Sequence, residues 1–237
     1  MCEMGLDKKI RTERQASTLR ATELIAQGVY LRDPMRFDIR GSLVCGNNVE
    51  FDINVIIEGD VELGDNVRIG PNCILKDTII ESDTIIQANS IIENANIGKS
   101  CLIGPYARVR PGTALGDHVQ IGNYVEVKAA IIGAGCKINH LSYIGNAILE
   151  EDVIIGAGTI SCNFNGTKNN DTYIEKGAFI GSGCQLVAPV RVGQKAMVGA
   201  GSTITENVPA YGLALARNRQ TVIEGKRPPI SSDEDLI

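Results

Sequence analysis

The sequence predicts an all-β fold: a parallel β-helix of hexapeptide repeats, with a short N-terminal helix and an irregular C-terminal tail. Three observations predict it. An aliphatic residue recurs at nearly every sixth position, through Ile57, Leu63, Ile69 and Leu75 to Leu149 and Ile155, and no member of that run is polar. A second column, two places earlier, favours small or branched residues such as Val67, Cys73, Thr84, Ala107 and Val125, and a spacing of two puts both columns on one face of a strand. Aromatics are only 4% of the chain, tryptophan is absent and there are 26 glycines, which describes a thin core of branched side chains and tight corners. Three hexads make one triangular coil, and successive coils stack as a parallel sheet. A β-sandwich would require hairpin signals at regular intervals, and they are missing.

The elements follow in order. Residues 1–29 read as a linker-like helix: "DKKIRTERQASTLRATELIAQG" combines good helix formers with spaced apolar positions and a closing Gly28. Residues 30–208 carry the repeat. A glycine often follows the aliphatic, as in "LGDNVRIGPNC", either for a positive φ or for a close backbone approach. Shorter steps, such as Leu75 to Ile80 and Val127 to Ile132, mean that some corners lose one residue. After Ser161 the register resumes only at Ile174, and "CNFNGTKNND" between them has loop chemistry, in a place where loops commonly serve function. Residues 209–237 lose the period and form a tail that ends in "SSDEDLI", which is expected to be disordered.

Composition excludes several classes. A formal net charge of -5 argues against nucleic acid as the main partner. The start "MCEMGLDKKIRTERQ" lacks the apolar segment of a signal peptide, and no run is long enough for membrane insertion, so a cytoplasmic location is expected. Seven cysteines include no CxxC pair, and Cys73, Cys101, Cys136 and Cys184 fall in the inward column as reduced core thiols. A zinc site built on about three imidazoles is not available locally from His118 and His140 alone, so no metal is expected.

The period also places chemistry. Residues 18 positions apart, or 17 across a shortened corner, lie above one another at about 4.8 Å. Arg110 and Lys128 therefore stack on adjacent coils, with Arg108, Glu126 and Tyr143 in the parallel outward row. Two stacked cations suit a phosphate; they equally suit a solvated surface pair with Glu126 as counter-ion, and spacing does not choose between these. His140 lies two places after Ile138, at the corner leading onto that face. Above it the corner carries Ala157, Ser182 and Ala200, each flanked by glycine, which makes a groove of roughly 15 Å over three coil spacings.

The segments "RDPMRFDIRG", "GPYARVRPG", "GNYVEVK", "INHLSYIGNA", "IGAGTISCNFNG", "FIGSGCQLVAPV" and "VGAGSTITENV" resemble the C-terminal acetyltransferase domain of the bacterial GlmU family, from about residue 30 to about 225. The resemblance implies a left-handed β-helix, an exception to the usual crossover hand, assembled as a homotrimer. It implies transfer of an acetyl group from acetyl-CoA, the cosubstrate, to the amino group of glucosamine 1-phosphate, for UDP-N-acetylglucosamine and cell-envelope synthesis. By motif, His140 matches the general base, Arg110, Lys128 and Tyr143 match sugar-phosphate ligands, and Glu126 falls within the same sugar-site motif. Ala157, Asn163, Phe164, Ser182, Ala200 and Arg217 match the acetyl-CoA site, to whose completion the 209–237 tail contributes. The chain departs from the family pattern at Ile154, where that pattern has Asn, at Phe164, where it has Tyr, and at Asn169, where it has Lys. These departures leave open a related acetyltransferase with another amino-sugar or amine acceptor, and a non-catalytic scaffold also stays open. With no "LAAGxGTRM" motif, uridylyl transfer is not expected of this chain.

Overall fold

The computed structural model describes residues 2–225 and is a parallel β-solenoid with a single α-helix among them. Each coil has three faces. Face 1 points Ile57, Leu75, Ile92, Val109, Val127, Ile144, Ser161, Leu186 and Ile204 inward. Face 2 does the same from Leu63 to Val192 through Ile80, Ile97, Leu115, Ile132, Leu149 and Ile174. Face 3 runs from Ile69 to Val198 through Ile86, Ile103, Ile121, Ile138, Ile155 and Ile180. The sixfold period is thus one of these residues per face, and the core is their stack together with the smaller inward column two places earlier, as at Val67, Cys73 and Val125.

Faces 1 and 2 form one bent sheet, because strands such as Val55–Leu63, Glu126–Ile132 and Tyr143–Leu149 run across the corner between them. Face 3 is a separate sheet of eleven strands. The shortened steps fall at the corner between faces 1 and 2, where the register shifts between Glu58 and Val61 against the next coil.

The corners separate two roles that glycine could have filled. The glycine after the inward aliphatic, as at Gly70 and Gly116, answers close approach: a Cβ there would lie 2.9 Å from Ala88 N and 2.8 Å from Ala134 N of the next coil. Positive φ falls instead two residues later, and in the lower coils asparagine supplies it, at Asn48, Asn54, Asn66, Asn72 and Asn89. Asparagine tolerates that region because its short side chain bonds locally. Here the amides bond upward: Asn54 Nδ2 donates to Asn72 Oδ1 at 2.9 Å, and Asn72 Nδ2 to Asn89 Oδ1 at 3.2 Å. His118, with φ of 60°, occupies one of these left-handed corner positions.

Both ends are closed. Helix α1 (Cys2–Ala26) buries Ala21 and Leu24 against the first coil, and Ser17 Oγ donates to the Phe37 carbonyl. Solenoids need such terminal caps because an end coil otherwise exposes its core. At the other end the strand Leu213–Ala214 pairs with Met197–Val198, so the sheet of face 3 continues past residue 208 into the segment read as tail. The "SSDEDLI" terminus lies outside the described residues.

Burial pushes the thiols of Cys73, Cys101 and Cys136 up to about 11. A raised folded-state pKa means that their contribution to stability is complete below the ordinary value of 9.0 and is lost as pH rises through about 11. Denaturation midpoints should therefore fall between pH 9 and 11, and a Cys101→Ala, Cys136→Ala double variant should show a smaller fall. In the native protein these thiols should resist a disulfide reagent at neutral pH and react fully on unfolding.

Candidate functional site

Parallel stacking places outward side chains of one face in vertical rows. On face 1 the row nearer face 2 reads Arg40, Glu58, Lys76 and Glu93 in successive register, an alternation that puts opposite charges next to one another. Arg40 and Glu58 are 3.0 Å apart. Arg110 continues the alternation, one residue beyond Val109, which pairs with Ile92. The next coil breaks it, for Lys128 stands where the pattern calls for an acid. Glu126, in the neighbouring row, pairs with Arg110 at 2.6 Å, while Lys128 has no ion pair among the described residues. The Glu126 counter-ion reading thus holds for Arg110 alone, and the patch keeps one uncompensated ammonium.

Above Lys128 in register is Gly145. A Cβ at Gly145 would collide with the Tyr143 hydroxyl, so the absent side chain is what lets the Tyr143 ring lean across the row. Arg110, Lys128 and the Tyr143 hydroxyl share one end of face 1. An anion with hydroxyl groups fits this set of donors.

His140 ends the strand Lys137–His140 on face 3 and is exposed at the corner onto face 1. Its Nδ1 lies 2.7 Å from Asn123 Oδ1, and Asn123 is its register partner one coil below. The backbone then ties the corner upward: Gly158 N donates to His140 O at 3.2 Å, Gly183 N to Ala157 O at 2.7 Å, and Gly201 N to Ser182 O at 2.8 Å. Gly158, Gly183 and Gly201 all have positive φ. A Cβ at Gly156 would lie 2.5 Å from Ser182 N, and one at Gly181 would lie 2.5 Å from Ala200 N. His140, Ala157, Ser182 and Ala200 therefore form one column; above His140 it is flanked on one side by glycines that the next coil crowds, such as Gly156 and Gly181, and on the other by glycines at positive φ. Arg217 completes it, its Cδ 3.9 Å from where a Gly201 Cβ would be. Beside His140 a cavity of about 300 Å³ is lined by Pro105, Gln120, Gly122, Asn123 and Asn139.

Two expected residues stand elsewhere. The segment after Ser161 is a small hairpin thrown out where face 1 turns to face 2: Phe164 bridges Asn169, and Asn165 Oδ1 accepts from Thr167 N and Lys168 N. Asn163 is buried at its base and donates to Asn146 Oδ1 at 2.7 Å, while Phe164 is 63% exposed. Within one chain, Asn163 and Phe164 lie across face 1 from the His140 column. Ile154 faces outward from face 3, 42% exposed, between Lys137 and Phe179 in register. Among the described residues no cluster of His, Cys, Asp or Glu could hold a metal ion, and no helix is long and apolar enough to cross a membrane. Asn123 escaped the sequence reading, although its place 17 residues before His140, one shortened coil, would have found it.

Comparisons with known proteins find relatives over most of the chain. The family described as "GMPPB C-terminal domain" matches residues 39–131, and "Bacterial transferase hexapeptide (six repeats)" matches residues 171–206. The chain is 55% identical over 218 residues to the bifunctional protein GlmU of Methylococcus capsulatus, covering 91% of this chain and 47% of that protein. It is 51% identical over 229 residues to GlmU of Nitrosospira multiformis, covering 95% and 50%, and 49% identical over 215 residues to that of Thiobacillus denitrificans, covering 91% and 47%. The chain spans about half the length of the curated relatives it matches.

The corner column has a consequence for stability. A side chain at Gly181 would push against the amide of Ala200, so Gly181→Val should cost about 1–3 kcal/mol and lower the thermal melting temperature. An unchanged melt would mean that the coils do not stack in this register.

Proposed function

We infer that this chain, a homologue of the bifunctional GlmU proteins over about half their length, transfers the acetyl group of acetyl-CoA to the amino group of glucosamine 1-phosphate. The observation that carries this reading is the position of His140, at the corner leading onto face 1, which presents Arg110, Lys128 and Tyr143, and at the foot of a column of small residues flanked by glycine. The product, N-acetylglucosamine 1-phosphate, serves UDP-N-acetylglucosamine and cell-envelope synthesis.

In this reading the phosphate meets Lys128 and Arg110, and the Tyr143 hydroxyl bonds the sugar. Glu126 keeps the Arg110 guanidinium oriented. The pantetheine arm of acetyl-CoA is extended and slender, and it lies along Ala157, Ser182 and Ala200 with Arg217 facing its phosphates. His140 takes a proton from the sugar amine, whose nitrogen attacks the thioester carbonyl. The tetrahedral intermediate collapses, the carbon–sulfur bond breaks, and the thiolate of coenzyme A receives the proton from the imidazolium. Corner backbone amides are the available donors for the oxyanion. Asn163 and Phe164 enter the same account if the chain is a homotrimer, in which the hairpin of one copy approaches the His140 column of the next.

A second reading, acetyl transfer to a different amine, is favoured by one observation: Ile154 presents an exposed aliphatic side chain one coil above Lys137, where the family pattern has Asn. An aliphatic group cannot replace amide hydrogen bonds to an acceptor's hydroxyls.

The assay is thiol release from acetyl-CoA in the presence of glucosamine 1-phosphate. Turnover is expected, with His140→Ala lowering kcat by about 100- to 10,000-fold and Lys128→Met acting mainly on KM for the sugar phosphate. Turnover with other amino sugars but not with this one would select the second reading. A folded protein that binds no acyl-CoA would leave the scaffold.

A further inference from the structure

We propose that Asn123 is a positioning residue for His140. Its side-chain oxygen holds the imidazole proton on Nδ1 and so keeps the Nε2 lone pair turned towards the acceptor amine. The inference deepens the acetyl-transfer reading and rests on it.

A neutral imidazole has one protonated and one bare nitrogen, and the hydrogen bond made by one nitrogen decides the state of the other. Asn123 Oδ1 lies 2.7 Å from His140 Nδ1, the distance of a full hydrogen bond. An amide oxygen can only accept, so the proton belongs to Nδ1. The reverse amide orientation would present NH2 to Nδ1 and send the proton to Nε2, leaving no lone pair for the amine proton.

The surrounding structure holds the amide in place. Asn123 and His140 are strand partners, and Leu141 N donates to the Asn123 carbonyl at 3.0 Å, so backbone and side chain of one residue grip both sides of the corner. Gly122 has no room for a Cβ, which would collide with the Asn139 carbonyl. Tyr124 follows with φ of 55°, a left-handed conformation that a bulky residue rarely adopts. It stacks on Tyr106, itself at φ 57°, with ring centroids 5.2 Å apart and planes inclined by 17°. Two strained corners one coil apart, locked ring on ring, fix the turn that carries Asn123.

Among the described residues no charged group competes for the imidazole. Lys137 is exposed on the same strand, Glu126 pairs with Arg110, and the Tyr143 hydroxyl leans over Gly145.

The test is long-range proton–nitrogen correlation on the full chain labelled at histidine. With only two histidines, His118 serves as an internal reference. Wild type should show His140 protonated on Nδ1. Asn123→Ala should lose that preference and lower kcat by about 10- to 100-fold with KM for acetyl-CoA near wild type. Asn123→Asp should keep the Nδ1 proton and, because a carboxylate stabilises the imidazolium, move the acidic limb of the pH–rate profile upward. A wild-type His140 protonated on Nε2, or a tautomer unchanged by Asn123→Ala, would overturn the proposal. These spectra need no substrate, so they are read whether or not glucosamine 1-phosphate is acetylated.

Discussion

The hydrogen bond between one coil and the next governs everything else in this protein. Backbone groups of each coil are satisfied mainly by the coils above and below, as in Ile85 N to the Cys101 carbonyl and Leu102 N to the Val119 carbonyl. Buried polar backbone cannot go unpaired without cost, so every coil must follow nearly the same path. That requirement explains the invariant inward aliphatics, because the triangular interior has the same width at each level. It also explains the glycines that face the neighbouring coil, since a side chain there would separate the two backbones.

A stack of identical paths brings like positions together at about 4.8 Å, and what that does depends on the side chain. Asparagines gain, because an amide both donates and accepts and can pass a hydrogen bond from coil to coil. Charges lose unless the sign alternates, and face 1 keeps that alternation from Arg40 to Arg110. The break at Lys128 is then the informative feature. Lys128 follows Arg110 in that row and has no ion pair among the described residues, so face 1 keeps positive charge there for which a ligand can supply the counter-ion.

Much of this was legible in the sequence, because a period is a coordinate. Counting hexads put His140 below Ala157, Ser182 and Ala200 with no structure in hand, and the backbone bonds of that corner follow the same order. The details that hexad counting left open have physical causes. Two roles were open for the corner glycines, and Gly70 and Gly116 take that of close approach, while the lower corners take positive φ at asparagine, whose ladder stabilises what its backbone alone would not. Asn163 and Phe164 were grouped with the corner column by motif, but position 163 lies two places after an inward residue of face 1, and so at the turn to face 2. The charge alternation was equally countable; it shows only when rows are read along the axis rather than along the chain.

Such a scaffold restricts where change can occur. Inward residues are fixed by width, corner glycines by the approach of the next backbone, and the left-handed corner residues by φ. Outward positions remain, and in the proposed reading Lys128, Arg110 and Tyr143 are tied to the anion of the acceptor. Ile154 is under none of these constraints: it is exposed, it makes no hydrogen bond through its side chain, and its neighbours Lys137 and Phe179 are of unlike chemistry. In the proposed reading the outward row of face 3 is therefore where acceptor choice can change, because a substitution there leaves intact the stacking that holds His140 in place.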